Sequence, residues 1–385
     1  MKILWAHSHF GFGGGPKTIL TWAIGLRELG HDISFIGHGG RLLDSVIENN
    51  FNYIHLPNWK FRPSISYACK IYKLGKKINP DVIISVGIHS SMEASFAAYL
   101  LKKPILFIFN LSPRDRLWIS NKKWQFPQIS DMVVVNQELK DICVNNYGWG
   151  SDKIHYIPER IIPQKILCKK KDTIESIAII RRLDNVKCVP VIKFMDTILS
   201  FLQVNKNVSI NIIGDGEGYE KVQVKSNAIN SILDRQAVNC NGYIDDIDKK
   251  LHNYDLIIGT EKVVVESLLF RKPTAILKNN GELIPITMAN VKDLSNNNFT
   301  GSHFDSLTNS SVEDIINKIE SLIEDEISAL GQWIENSFSY KIGVSKISIL
   351  LEKISSPKHF IKKFFFQLIK MYCSIFVNLL RKTVK

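Results

Sequence analysis

Two doubly wound α/β domains in tandem are predicted by three features of this chain: its length, the period of its apolar runs, and a break near its middle. At 385 residues the chain exceeds what one hydrophobic core usually serves. Short runs rich in Ile and Val alternate with helical windows in both halves, the pattern of parallel strands buried on both faces. The stretch ERIIPQKILCKKK, residues 159–171, keeps neither period and carries a proline and a basic run, so it reads as a linker. Hydrophobic residues make up 45% of the chain, enough to fill two cores.

Each element follows from local pattern. In the first domain, residues 1–158, the strand runs are KILWAHS, DISFIG, FNYIHL, DVIISVG, PILFIFN and DMVVVN, with helical windows near 16–29, 64–78 and 90–101. A linker covers 159–173. In the second domain, 174–339, IESIAII, SINIIG, AVNCNGY, DLIIG and PTAILK alternate with helical windows near 189–201, after Glu217, near 245–251 and at 263–269. Residues 295–311, rich in Asn and Ser, read as a loop. Windows at 312–330 and 343–353 finish the domain, the last within a closing helix, 340–356. A tail follows at 357–385.

Composition excludes several classes. No run approaches the ~20 apolar residues of a membrane-spanning helix, and MKILWAHSHF enters a strand at once instead of building a signal peptide. A cytoplasmic location is expected. The cysteines Cys69, Cys143, Cys168, Cys188, Cys240 and Cys373 include no C-x-x-C pair, so reduced thiols and no metal are expected. The net charge is +12, but residues 358–385 hold seven Lys/Arg and no acid, leaving +5 for everything before them. There Lys363, Lys370, Arg381 and Lys385 recur at helical spacing opposite Phe364, Leu368, Tyr372, Ile375 and Phe376. Such an amphipathic helix suits an anionic membrane surface, giving a peripheral position at the inner face of the plasma membrane. Docking on the first domain is the other reading. Excess charge beside Phe and Leu on one terminal segment argues against a nucleic-acid partner.

Several motifs carry chemistry. After the first strand comes GFGGGPKT, in which Gly13, Gly14 and Gly15 let backbone N–H groups approach a ligand, and a helix opens at Pro16. Pro16 occupies the third glycine position of G-x-G-x-x-G, so a dinucleotide site is not supported, and a plain turn remains the other reading. AIIRRLDNVKCVP puts Arg182 and Lys187 where a strand hands over to a helix, as a diphosphate site or as solvated surface. In GDGEGYEK, Gly214 and Gly216 permit a tight exit from a strand, and Asp215 is expected to cap the next helix. Asp245 and Asp246 are expected at another helix start. In LIIGTEKVVVESLLFRKP, Glu266 is expected on the first turn of a helix at a strand's carboxyl end, placed to accept hydrogen bonds from ribose hydroxyls. His7, His9 and His89 end first-domain strands, either facing a ligand or as satisfied core side chains. Arg114 and Arg116 either hold an acceptor phosphate or coat a loop.

Taken in order, GFGGGPK, the strand ends HSS and FNLSPRD, RRLDNVK, GDGEG and GTEKVVVESLLFRKPTAI resemble a glycosyltransferase of the GT-B fold, specifically glycosyltransferase family 4 and its retaining relatives, over residues 1–353. The resemblance implies two Rossmann-like domains facing a cleft, with the acceptor on the first and a UDP- or GDP-type nucleotide sugar on the second. It implies that Arg182 and Lys187 hold the donor diphosphate, that Glu266 binds the ribose, and that the first-loop glycines face the sugar and its leaving group. No cofactor or metal is implied, since the cations and helix N-termini stabilise the departing diphosphate.

Two positions depart from the family. Its two glutamates are separated by seven residues, and the place of the first is Ile258, with Glu261 three positions away. Contacts to the transferred sugar are then expected from the backbone between Gly259 and Val263. A histidine expected after the fifth strand is Asn110, which donates hydrogen bonds but is no base near neutral pH. Retaining transfer is described as a front-face process in which the leaving phosphate helps deprotonate the acceptor. His89 and Asn110 are the acceptor-side candidates. The expected activity is retaining hexosyl transfer to a glycan or lipid-linked acceptor of a bacterial surface polysaccharide or lipopolysaccharide. The alternatives are a nucleotide-sugar epimerase and a catalytically silent nucleotide-sugar-binding partner.

Overall fold

The computed structural model describes residues 1–7, 10, 14–40, 43–57, 65–109, 129–146, 148–158, 161–162, 171–244, 247–301 and 311–355, with the backbone alone at 14, 15, 88, 89 and 248. These residues form two compact units. The first is built from Met1–Arg160 and the late helix Tyr340–Lys353, and the second is Ile161–Ser339. Residues 358–385, read from the sequence as an amphipathic tail, lie outside the described residues. Among the described residues, no helix is long and apolar enough to cross a membrane.

The first unit holds seven parallel strands: β1 (Lys2–Ala6), β2 (Asp32–Gly37), β3 (Asn52–His55), β4 (Val82–Val86), β5 (Ile105–Phe109), β6 (Asp131–Val134) and β7 (Ile154–Tyr156). Their order is β3-β2-β1-β4-β5-β6-β7. Strands VIISV and ILFIF are buried at every position, as they must be with helices on both faces. Side chains of β1 alternate between two cores, Ile3 and Trp5 on one face, Leu4 and Ala6 on the other. The first core is completed by Trp22 and Leu26 of helix Gly14–Glu28 and by Tyr340, Val344, Ile347 and Leu351 of the late helix. β7, only three residues long, has too short an alternation to read from sequence.

The second unit holds β8 (Ser176–Ile180), β9 (Ser209–Ile213), β10 (Val238–Gly242), β11 (Leu256–Gly259), β12 (Thr274–Leu277) and β13 (Leu283–Pro285), in the order β10-β9-β8-β11-β12-β13. All pairs are parallel except β12 with β13. β13 was not expected; it is a three-residue edge strand ending in Pro285, a residue that edges tolerate. Ile177 and Ile179 face a core with Phe194, Ile198 and Val222, while Ala178 and Ile180 face Ile257 and Phe270. The single helical window at 312–330 is two helices, Val312–Glu320 and Glu324–Phe338, the first opened by a capping box between Ser311 and Asp314. The window near 245–251 is a 3₁₀ segment, Ile247–Asn253, with Asp245 and Asp246 outside the described residues. The unit's two ends meet, with Ile161 N–H donating to the Phe338 carbonyl at 3.0 Å.

Candidate functional site at the carboxyl edge of the second sheet

Winding reverses between β8 and β11: β9 and β10 lie on one side of β8, and β11 to β13 on the other. In such sheets, ligands bind outside the carboxyl ends of the strands at the reversal. The loops leaving β8, β9 and β11 at this edge carry the residues singled out in the second half of the sequence.

The β8 and β9 loops are knitted together by backbone hydrogen bonds. Leu183 N–H donates to the Asp215 carbonyl at 3.0 Å, and Gly218 N–H donates to the Leu183 carbonyl at 2.7 Å. Only glycine fits two positions of the β9 loop. Gly214 has φ +150°, and a Cβ there would lie 1.8 Å from the Arg181 carbonyl oxygen; Gly216 has φ +149°, with the Leu183 carbonyl oxygen 2.6 Å from such a Cβ. Asp215 does not cap the following helix. Its carboxylate accepts from Gly216 N–H at 2.7 Å, and helix Tyr219–Leu233 starts from Gly218 with no side-chain cap. The carboxylate that does close a helix start is Asp184, accepting from Val186 N–H at 3.0 Å and Lys187 N–H at 2.8 Å before helix Cys188–Val204.

Arg182 is exposed and Lys187 half-buried. Among the described residues neither side chain has a polar partner, so both charges are available at the edge. Arg181, which the sequence reading passed over, behaves differently. Its Nη1 donates to the Leu277 carbonyl at 3.0 Å and its Nη2 to Asn279 Oδ1 at 3.3 Å. Because β11 lies between β8 and β12, this side chain crosses the end of β11. Burial lowers the pKa of its guanidinium, while Glu261 and Asp184 act in the opposite direction.

At the end of β11, Gly259 is buried and the chain turns through Thr260 and Glu261 into helix Lys262–Leu269. Glu261 is the N-cap residue with φ 56° and ψ −122°, a conformation costly for any residue with a side chain, and it supplies no side-chain cap. Half-buried Val263 lies in the first turn, its carbonyl accepting from the Ser267 hydroxyl at 2.7 Å. Glu266 lies in the second turn, not the first as expected from sequence. Its Oε1 is 3.1 Å from Lys262 Nζ, and about a quarter of each side chain is exposed. Ile258 points into the core with 0% exposure, so the place of the family's first glutamate is closed to a ligand.

In the first unit, the described candidates also gather near strand ends. His7 follows β1 and meets Phe10 edge-on, with ring centroids 5.0 Å apart. Gly14 and Gly15 open helix Gly14–Glu28, and His89 is the third residue of helix Gly87–Leu101. Gly13, His9, Asn110, Arg114 and Arg116 lie outside the described residues. Sequence reasoning missed a neighbouring group: His38 and His55 stack at 5.8 Å, and the Tyr53 hydroxyl donates to the Gly37 carbonyl at 2.8 Å. Among the described residues, no group of three or more His, Cys, Asp or Glu side chains is arranged to hold a metal ion.

Residues 12–163 match the family model described as Glycosyltransferase Family 4. No curated protein matches the chain by sequence. Among solved structures, the Anabaena protein Alr3699/HepE in complex with UDP has a TM-score of 0.67 at 15% identity, over 92% of this chain and 100% of that one. The lipopolysaccharide outer core galactosyltransferase WaaB has a TM-score of 0.62 at 14% identity, covering 92% of this chain and 100% of that chain. UDP-GlcNAc 2-epimerase from Neisseria meningitidis has a TM-score of 0.56 at 15% identity, with the same coverages, 92% and 100%. The fold is GT-B, and the chain resembles the family 4 glycosyltransferases that share it.

Proposed function

We propose that this chain is a retaining glycosyltransferase that takes a sugar from a UDP- or GDP-type nucleotide sugar held by its second unit. The observation that carries the reading is the edge at the reversal of the second sheet. There Arg182 and Lys187 have no protein partner among the described residues, and Glu266 stands on the helix leaving the adjacent strand. Three helices, Cys188–Val204, Tyr219–Leu233 and Lys262–Leu269, begin at this edge, and none has a side-chain cap from its N-cap residue. The positive ends of their dipoles add favourable potential where a diphosphate departs.

In this reading, Arg182 and Lys187 stabilise the charge that grows on the leaving nucleoside diphosphate, so no metal or cofactor is required. Glu266 accepts hydrogen bonds from the ribose hydroxyls. Gly214, Gly216 and Gly259 keep Cβ atoms out of the loops that receive the donor, and the backbone near Val263 meets the transferred sugar. Glu261 joins them as a second carboxylate of this edge. On the first unit, Gly13 to Gly15 face the sugar and its leaving group, His89 and Asn110 serve the acceptor side, and the leaving phosphate takes the acceptor's proton. The lipopolysaccharide outer core galactosyltransferase among the fold neighbours supports a glycan acceptor of a bacterial surface polysaccharide, and the basic, aromatic tail at 358–385 supports meeting a lipid-linked one at the cytoplasmic face of the membrane.

A panel of UDP-, GDP- and other nucleotide sugars tests the donor half. The matching donor raises the melting temperature with concentration, because it binds only the folded protein. Replacement E266A abolishes most of that shift, and no shift with any donor would overturn the reading. The epimerase among the fold neighbours motivates a second reading, in which the nucleotide sugar is converted with no acceptor present. Conversion of the donor alone would favour it; transfer of label into a membrane extract only when extract is supplied favours the transferase.

A further inference from the structure

The geometry points to Lys262 as the positioning residue of Glu266: its ammonium fixes one carboxylate oxygen so that the other is presented to the ribose diol. This rests on the nucleotide-sugar reading and adds to it a residue the sequence motifs did not mark. Lys262 Nζ lies 3.1 Å from Glu266 Oε1, and among the described residues it is the one polar partner of that carboxylate. Lys262 is therefore the polar contact that orients the Glu266 carboxylate.

Helix stability does not account for the pair. Lys262 is the first residue of helix Lys262–Leu269, where a cation faces the positive end of the helix dipole. The order Lys then Glu four residues later is also the weaker orientation of an i,i+4 pair. Both side chains are largely covered, at 23% and 24% exposure, so the charges meet where solvent screens them less than at an open surface. A local arrangement that works against its own helix, at the end of a strand beside the sheet reversal, is the kind of conflict expected at a binding site. Only one oxygen of Glu266 is engaged, which leaves Oε2 as an acceptor for a vicinal diol.

A double-mutant cycle on the full-length chain tests the assignment, with uridine, UDP, guanosine and GDP as calorimetric probes and melting temperature as a check on folding. If Lys262 acts through Glu266, K262M weakens the matching nucleoside and its diphosphate by the same factor, about three- to tenfold. K262M then adds nothing further in the E266A background, and K262R restores most of the affinity. An effect on the diphosphate but not the nucleoside would overturn the assignment by making Lys262 a phosphate ligand. Wild-type affinity in K262M would overturn it by making the pair a surface ornament, with the nucleotide reading intact. If the wild-type chain binds none of the four probes, both readings fall together.

Discussion

At the scale of residues, the β9 loop sets the shape of the candidate site by leaving no room. A Cβ at Gly216 would press on the Leu183 carbonyl in a backbone conformation that L side chains rarely adopt. Replacement G216A should therefore cost about 1–3 kcal/mol of stability and loosen the loop that carries Arg182. A melting temperature equal to wild type, with donor affinity unchanged, would contradict this. The position of Arg182, Lys187, Gly214 and Gly216 just after strands was legible in the sequence because each follows an apolar strand run, whereas Glu266 stands one turn further along its helix than that pattern suggested. Arg181 and Glu261 were not legible. Which of two adjacent arginines crosses the sheet depends on the strand order, which no local pattern encodes. The spacing of Glu261 does not fit the expected pair of glutamates, although its φ of 56° marks it in the structure. Asp215 and Asp184 both fit the sequence preference for a helix cap, and only the knitting of two loops decides between them.

At the scale of elements, helix Tyr340–Lys353 is held to the first unit by apolar packing and by polar contacts. The Tyr340 hydroxyl donates to Glu28 Oε2 at 3.4 Å, and His31 Nε2 lies 2.9 Å from Ser348 Oγ. Burial and the N-terminal ammonium push the His31 pKa below its ordinary 6.5, with Glu352 acting the other way. Neutral imidazole is thus the form the fold accepts. Stability should be complete above about pH 6.5 and fall as pH drops through the depressed folded value, since the unfolded chain takes the proton first. Thermal melts between pH 5 and 8 check this; H31Q should flatten the acid limb, and an unchanged limb would contradict the assignment. A Cβ at Gly25 would lie 2.6 Å from Val344 Cγ2, so G25A should also loosen this helix, seen as faster amide exchange along 340–353. The long strands and helices were readable from period alone. β7 and β13 were not, being three residues each, and neither was the break at Ser321–Ile323, where the apolar spacing continues across a link that turns extended at Ile323.

At the scale of the whole molecule, charge and connectivity carry the consequences. Seven of the positive charges lie after Pro357 without an acid among them. Deleting 357–385 should release the protein from vesicles containing anionic lipid while leaving the donor-induced melting shift intact, as read by co-sedimentation and thermal shift. Pelleting of the shortened chain with vesicles would remove the membrane role of the tail. The return of the chain to its first unit bears on how the protein is made. Residues 161–339 form a continuous stretch whose ends meet, so that unit can close as soon as it leaves the ribosome. The first unit is synthesised earlier but keeps the surface around Trp22 and Leu26 uncovered until residues 340–353 emerge. The half that is translated first is the half that finishes last, and during that interval it carries an uncovered apolar face.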